Sequence, residues 1–140
     1  DEDVERRIMI ETTDASDVKV QAKMTSEALV ESQALIRHVP VGDSVVDAIL
    51  KIVRAGRPET CPDPELAPMI AWGPGPRASQ ALMLAVRARA LLQKRLAPSV
   101  EDVLALAAPV LRHRMALTFT ARAEGMTLDG LIKRLCATIE

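Results

Sequence analysis

Six of the nine prolines fall between residues 57 and 76, at positions 58, 62, 64, 68, 74 and 76. Each removes a backbone N–H donor and restricts φ, so no helix is expected to survive that density. A long irregular loop is predicted there, and a loop of this length inside a compact domain often carries function. It delivers the chain to Trp72-Gly73-Pro74-Gly75-Pro76-Arg77, where a long helix is expected to begin.

Elsewhere apolar residues recur at helical spacing. Val4 and Ile8 lie one turn apart behind Asp1, Glu2 and Asp3, which suit the positive end of a helix dipole. This first helix fades at Thr12, Thr13 and Asp14. Val18, Val20, Ala22 and Met24 alternate with polar residues and predict an extended stretch over 17–24. Thr25 or Ser26 then caps a second helix, with Ala28, Leu29, Leu35, Ile36 and Val39 as its apolar stripe and Pro40 as its stop. Asp43 is expected to cap a third, with Val46, Ile49, Leu50 and Val53 facing inward and Gly56 as a left-handed terminator.

Beyond the loop, Pro76 suits the first turn of a helix over 77–96. Ala81, Leu84, Ala85, Ala88, Leu91 and Leu92 form one face of it, small enough for a partner helix to approach closely. Ser99 to Asp102 resembles a capping box that starts a helix using Val100, Val103, Leu104 and Ala107. Pro109 is expected to restart a short helix over 110–115. Residues 116–121 read as extended, with Leu117 and Phe119 on one face, and Glu124-Gly125 as a turn. Thr127 caps a last helix that buries Leu128, Leu131, Ile132 and Leu135. The expected fold is mainly all-α: an irregular bundle of six or seven helices with at most one short pair of strands, forming a single domain over 1–140.

Composition narrows the function classes. Trp72 and Phe119 are the only aromatic residues, which argues against an immunoglobulin-like sandwich, an aromatic cage or a base-stacking surface. No run of apolar residues is long enough to predict a membrane span, and no secretion leader is visible. A chain opening on Asp1 is expected of a processed protein or of an internal piece of a longer one. Cys61 and Cys136 belong to no metal-ligand spacing, so reduced thiols in a cytoplasmic protein are expected, with no metal site. The net charge of −1 is unevenly spread: residues 1–70 hold 14 acidic against 8 basic side chains, and residues 71–114 hold 2 against 7. That basic block either faces an anion or pairs with its acidic neighbour.

No phosphate-binding loop, nucleophile elbow, zinc-protease motif or EF-hand is present, and His38 and His113 are the only imidazoles. The chain alone does not read as a complete enzyme. Its sharpest signal is the turn Gly73–Ala78, a glycine- and proline-built entry to a helix with Arg77 on the first turn. A helix N-terminus offers free N–H groups and positive potential, yet disfavours a cation. An anion held between dipole and guanidinium would resolve that conflict, and guanidinium matches phosphate oxygens well. The alternative is a solvated arginine on an exposed turn. Arg112, His113 and Arg114 form a second cationic group, either paired with carboxylates of the acidic half or docking an anionic partner. Trp72 either plugs the loop onto the bundle or offers a ligand platform.

Taken in order, these blocks resemble a known family. Residues 72–92, the capped segment Ser99 to Ala107, Pro109 to Arg114, the opening Asp3 to Thr13, and Ala123-Glu124-Gly125 with the last helix are similar to the C-terminal lid of MoxR-type AAA+ ATPases. The likeness covers essentially the whole chain. It implies a lid that packs over ATP, with Arg77 matched to the sensor-2 arginine that reaches the γ-phosphate and Gly75, Pro76 and Ala78 forming the nucleotide-facing turn. It also implies that the phosphate-binding loop and the Mg²⁺ ligands belong to an ATPase core upstream. That core and neighbouring subunits, often in a hexameric ring, would be its partners, with Arg112, His113 and Arg114 available for docking. The implied work is chaperone-like remodelling or metal insertion in client proteins. The common family turn is Gly-Ala-Ser-Pro-Arg, and this chain departs from it at Pro74 and Gly75. A free-standing helical adaptor for a protein partner is the competing class. A nucleic-acid module using residues 71–114 is the weakest, because net charge is near zero and no aromatics interleave with the cations.

Overall fold

The computed structural model describes residues 1–13 and 21–139. Among them are seven α-helices: α1 (Glu2–Thr13), α2 (Ser26–His38), α3 (Asp43–Ala55), α4 (Pro76–Leu92), α5 (Val100–Leu111), α6 (Phe119–Ala123) and α7 (Leu128–Ala137). Two short strands, β1 (Ile70–Trp72) and β2 (Ala116–Leu117), pair antiparallel, with Ile70 opposite Leu117 and Trp72 opposite Ala116. The mainly all-α bundle with one strand pair is therefore the fold that the periodicity predicts. The chain gathers into two compact units, Asp1–Val30 and Glu31–Glu140.

In the first unit, α1 buries none of its residues, and Val4 and Ile8 are exposed. The extended stretch expected over 17–24 lies outside the described residues up to position 20, and residues 21–24 form no strand. Thr25 does cap α2: its hydroxyl accepts from the Ala28 N–H at 3.2 Å.

The second unit holds the core. Helix α4 packs against α3 and α5, and α5 packs against α7. Ile49, Ile52, Val53, Leu66, Leu82, Val86, Val103, Leu111, Leu131, Ile132 and Leu135 are among its largest fully buried side chains. The face of α3 is rotated from the expected one: Val45, Ala48, Ile49, Ile52, Val53 and Ala55 are buried, Val46 is half-buried and Leu50 exposed. Its N-cap is Gly42, with Asp43 in the first turn. Gly56 ends the helix at φ −74°, an ordinary right-handed value. The reason for glycine there is space, since a Cβ would lie 3.0 Å from Pro74 Cδ.

Helix α4 also differs from expectation. Its buried stripe is Ala78, Leu82, Val86 and Ala90, whereas Ala81, Leu84, Ala85 and Ala88 line an open apolar groove with Gln33, Ala34, Ile36 and Arg37 of α2. The helix carries apolar residues on both faces, so its own period does not choose between them; contact with α3 and α5 does. It ends at Leu92 rather than 96, because Lys94 turns left-handed at φ 59°. The Arg95 N–H then donates to the Ala90 carbonyl at 2.8 Å and that of Lys94 to Leu91 at 2.9 Å, closing the last turn.

Helix α5 runs through Pro109 to Leu111 without restarting. One lost backbone bond is offset by Ala107 and Leu111, both wholly buried on its inner face. The extended reading of 116–121 holds only to Leu117. Thr118 then caps α6, accepting from the Ala121 N–H at 3.3 Å, and Phe119 points away from the core, 82% exposed. Thr127 caps α7 as expected, accepting from the Gly130 N–H at 3.0 Å. No helix among the described residues is long and apolar enough to cross a membrane.

Candidate functional site

The turn before α4 is built by close backbone packing on the end of α3. A Cβ on Gly73 would sit 2.3 Å from the Gly56 carbonyl oxygen and 2.7 Å from Arg57 Cα, distances that only glycine permits. Pro74 is fully buried in this contact. The Arg57 Nε donates to the Pro74 carbonyl oxygen at 2.8 Å. Gly75 is the N-cap of α4, with extended backbone and no side-chain cap, and Pro76 opens the first turn. The Ala78 N–H donates to the Gly75 carbonyl at 2.9 Å, and Ala78 is buried.

Arg77 stands on that first turn, exposed, and among the described residues it makes no hydrogen bond or ion pair. The anchored turn thus presents an exposed guanidinium at the N-terminal end of α4, where the helix dipole is positive, an arrangement suited to an anion. Arg77 is spaced to share one face of α4 with Ala81, Leu84, Ala85 and Ala88, the residues that line the apolar groove.

Trp72 is 53% exposed, on the strand that leads into the turn. It does not plug the loop; fully buried Pro74 has that role. Arg112 forms a two-pronged pair with Asp129, Nε to Oδ1 at 2.8 Å and Nη2 to Oδ2 at 2.9 Å, and the carboxylate holds the guanidinium's pKa above its ordinary value. Its partner lies on α7, outside the acidic half where pairing was expected. Arg114 donates to the Val110 carbonyl at 2.7 Å and also contacts His113, which is exposed. His38 is exposed at the end of α2.

Among the described residues the most enclosed charge is Asp102, 3% exposed. It closes the capping box by accepting from the Ser99 N–H at 2.9 Å. It also accepts from Arg89 Nε at 2.9 Å and from Arg95 at 2.7 and 2.8 Å. The Arg95 hydrogen bond, chiefly, holds this carboxyl below the usual carboxylate range, against the opposing effect of burial. The capping box is legible in the sequence, but its two arginine partners are not. Likewise nothing in the sequence pairs Arg57 with Pro74, 17 positions away. Among the described residues no three His, Cys, Asp or Glu side chains gather as metal ligands.

Comparison with known proteins agrees with this architecture. Residues 65–135 match the AAA lid domain family, a span that includes the turn, α4, α5 and most of α7. The chain belongs to that family, as the C-terminal lid of a MoxR-family AAA+ ATPase. Chaperone MoxR1 of Mycobacterium tuberculosis is 31% identical over 122 residues, which cover 85% of this chain and 32% of that protein. The uncharacterized protein YeaC of Bacillus subtilis is 29% identical over 117 residues, 84% of this chain and 34% of its own length. The chain thus spans about a third of the curated relatives it matches. A crystal structure from Cytophaga hutchinsonii, described as that of an ATPase, superposes with a TM-score of 0.83 at 24% identity, covering 100% of this chain and 43% of the other. At that identity the superposition speaks for the fold.

Proposed function

We propose that this lid closes over ATP held by an ATPase core of the same protein, with Arg77 as the sensor-2 arginine. The observation that carries the reading is the exposed Arg77 guanidinium, without a partner among the described residues, on a turn clamped to the end of α3. ATP, with Mg²⁺ held by the core, supplies a terminal phosphoryl group whose negative charge is present before hydrolysis and gone after phosphate release. Gly75, Pro76 and Ala78 set the backbone that faces it. Arg77 donates charge-assisted hydrogen bonds to that group and stabilises charge that builds on its oxygens. A contact made in one nucleotide state and lost in the other gives lid closure a free-energy difference, which moves the lid against the core.

In this reading the complete protein is a cytoplasmic bacterial ATP hydrolase of ring, commonly hexameric, assembly. Its cycle drives chaperone-like remodelling or maturation of client proteins. Arg112, His113 and Arg114 serve docking on the core or a neighbouring subunit. Family membership favours this over the free-standing adaptor.

Arg77→Ala in the full-length ATPase is expected to lower kcat about 100-fold, with Arg77→Lys intermediate, because lysine offers the charge without the fork. Steady-state phosphate release measures it. Unchanged turnover together with unchanged nucleotide affinity removes Arg77 from the mechanism.

A further inference from the structure

The Arg77 backbone is held from outside its own helix. Between Ile52 at the last turn of α3 and Pro76 at the first turn of α4, the chain runs through its proline-rich loop and returns to its own starting point. There the Gly56 carbonyl lies where a Gly73 side chain would have to be, and the Gly56 face lies against the Pro74 ring, 3.0 Å from an added Cβ. Such contact excludes side chains but supplies no directional bond. Among the described residues, the one hydrogen bond from a side chain outside the turn to the turn's backbone is that of Arg57 Nε on the Pro74 carbonyl, at 2.8 Å. Arg57 is itself fixed by its position: it follows the C-cap of α3, and its N–H donates to the Arg54 carbonyl at 3.1 Å. The Pro74 carbonyl lies three residues before Arg77, and Pro76 between them has little backbone freedom.

We propose that Arg57 is a positioning residue for Arg77: its Nε–H holds the Pro74 carbonyl and so fixes the direction in which α4 starts and its first-turn guanidinium points. The inference rests on the reading of Arg77 given above. Arg57 acts through its Nε donor, not through its charge. That distinction is chemical. Glutamine carries its amide nitrogen on Cδ, the atom that bears Nε in arginine, so it can donate from the same place without a charge. Lysine keeps the charge but has carbon at that place.

The test uses the full-length ATPase with Arg57→Ala, Arg57→Gln and Arg57→Lys beside Arg77→Ala. Two readouts are taken: steady-state kcat, and amide hydrogen exchange of the segment 73–80 in nucleotide-free protein. Circular dichroism melts confirm that each variant is folded. Arg57→Ala is expected to lower kcat about tenfold or more, as misplacement of a reacting-site group does, and to speed exchange in 73–80. Arg57→Gln restores both, and Arg57→Lys does not. Should Arg57→Lys restore activity and Arg57→Gln fail, the charge matters and the positioning role is overturned. Unchanged exchange and kcat in Arg57→Ala, with Arg77→Ala impaired, overturn it as well and leave Arg77 in place. Full activity in Arg77→Ala overturns the underlying reading instead, whatever the exchange of Arg57→Ala reports.

Discussion

Asp102 accepts hydrogen bonds from Arg89, Arg95 and the Ser99 backbone at once, so one carboxylate ties the end of α4 to the start of α5. Its pKa is lowered mainly by Arg95, which makes protonation harder in the folded chain than in the unfolded one. The stabilisation is therefore complete above the ordinary carboxylate pKa of about 3.9 and is lost as pH falls through the lower folded value. Asp102→Asn is expected to cost about 2 kcal/mol at neutral pH. The gap between wild type and variant should narrow below about pH 4, where the unfolded wild-type carboxyl takes up a proton, and close once the folded one does. Urea denaturation of both proteins across that range measures it, and a gap independent of pH contradicts the assignment. At this scale the sequence is informative where a partner is local. Ser99 and Asp102 are three apart and announce their box, and Thr25 and Thr127 each stand three residues before the N–H they cap; Thr118 caps α6 in the same way, but the residues around it read as extended. Arg89 and Arg57 find partners 13 and 17 residues away, and no local rule reaches them.

Helix α4 shows what an element can and cannot disclose about itself. Its start was legible from Pro76, its existence from the run of alanine and leucine, and its inward face was not. Both candidate stripes are apolar, and the one that carries Arg77 is the one left open. Its end is decided by Lys94, a non-glycine residue at φ 59°. A left-handed conformation costs a residue with a Cβ about 1–2 kcal/mol. Lys94→Gly should accordingly stabilise the fold by about 0.5–1 kcal/mol, read as a raised denaturation midpoint. An unchanged or lowered midpoint contradicts a left-handed end to α4. Strand β1 was hidden for a related reason: it lies inside the proline-rich loop and exists only because Ile70 and Trp72 meet β2.

At the scale of the molecule, the proposed function makes the second unit a scaffold that presents Arg77 to a nucleotide held elsewhere. The chain of residues 1–140 is expected to release no phosphate from ATP, and millimolar ATP should shift its Tm by less than about 2 °C. Measurable hydrolysis by these residues alone contradicts the lid reading. Arg77 on the open face of α4, the exposed Trp72 before it and the apolar groove beside it all lie where the second unit presents surface rather than core.

The sequence by itself determined the helical class, most of the caps, the position of the loop and the arginine at the head of α4. Each depends on covalent constraint or on neighbours within a turn or two, and proline, glycine and capping side chains act at that range. Tertiary structure alone decided which face of α4 turns inward, that Gly56 and Gly73 serve close approach, and that Arg57 holds the turn. These depend on which distant segments meet, and helical periodicity carries no information about that choice when both faces of a helix are apolar.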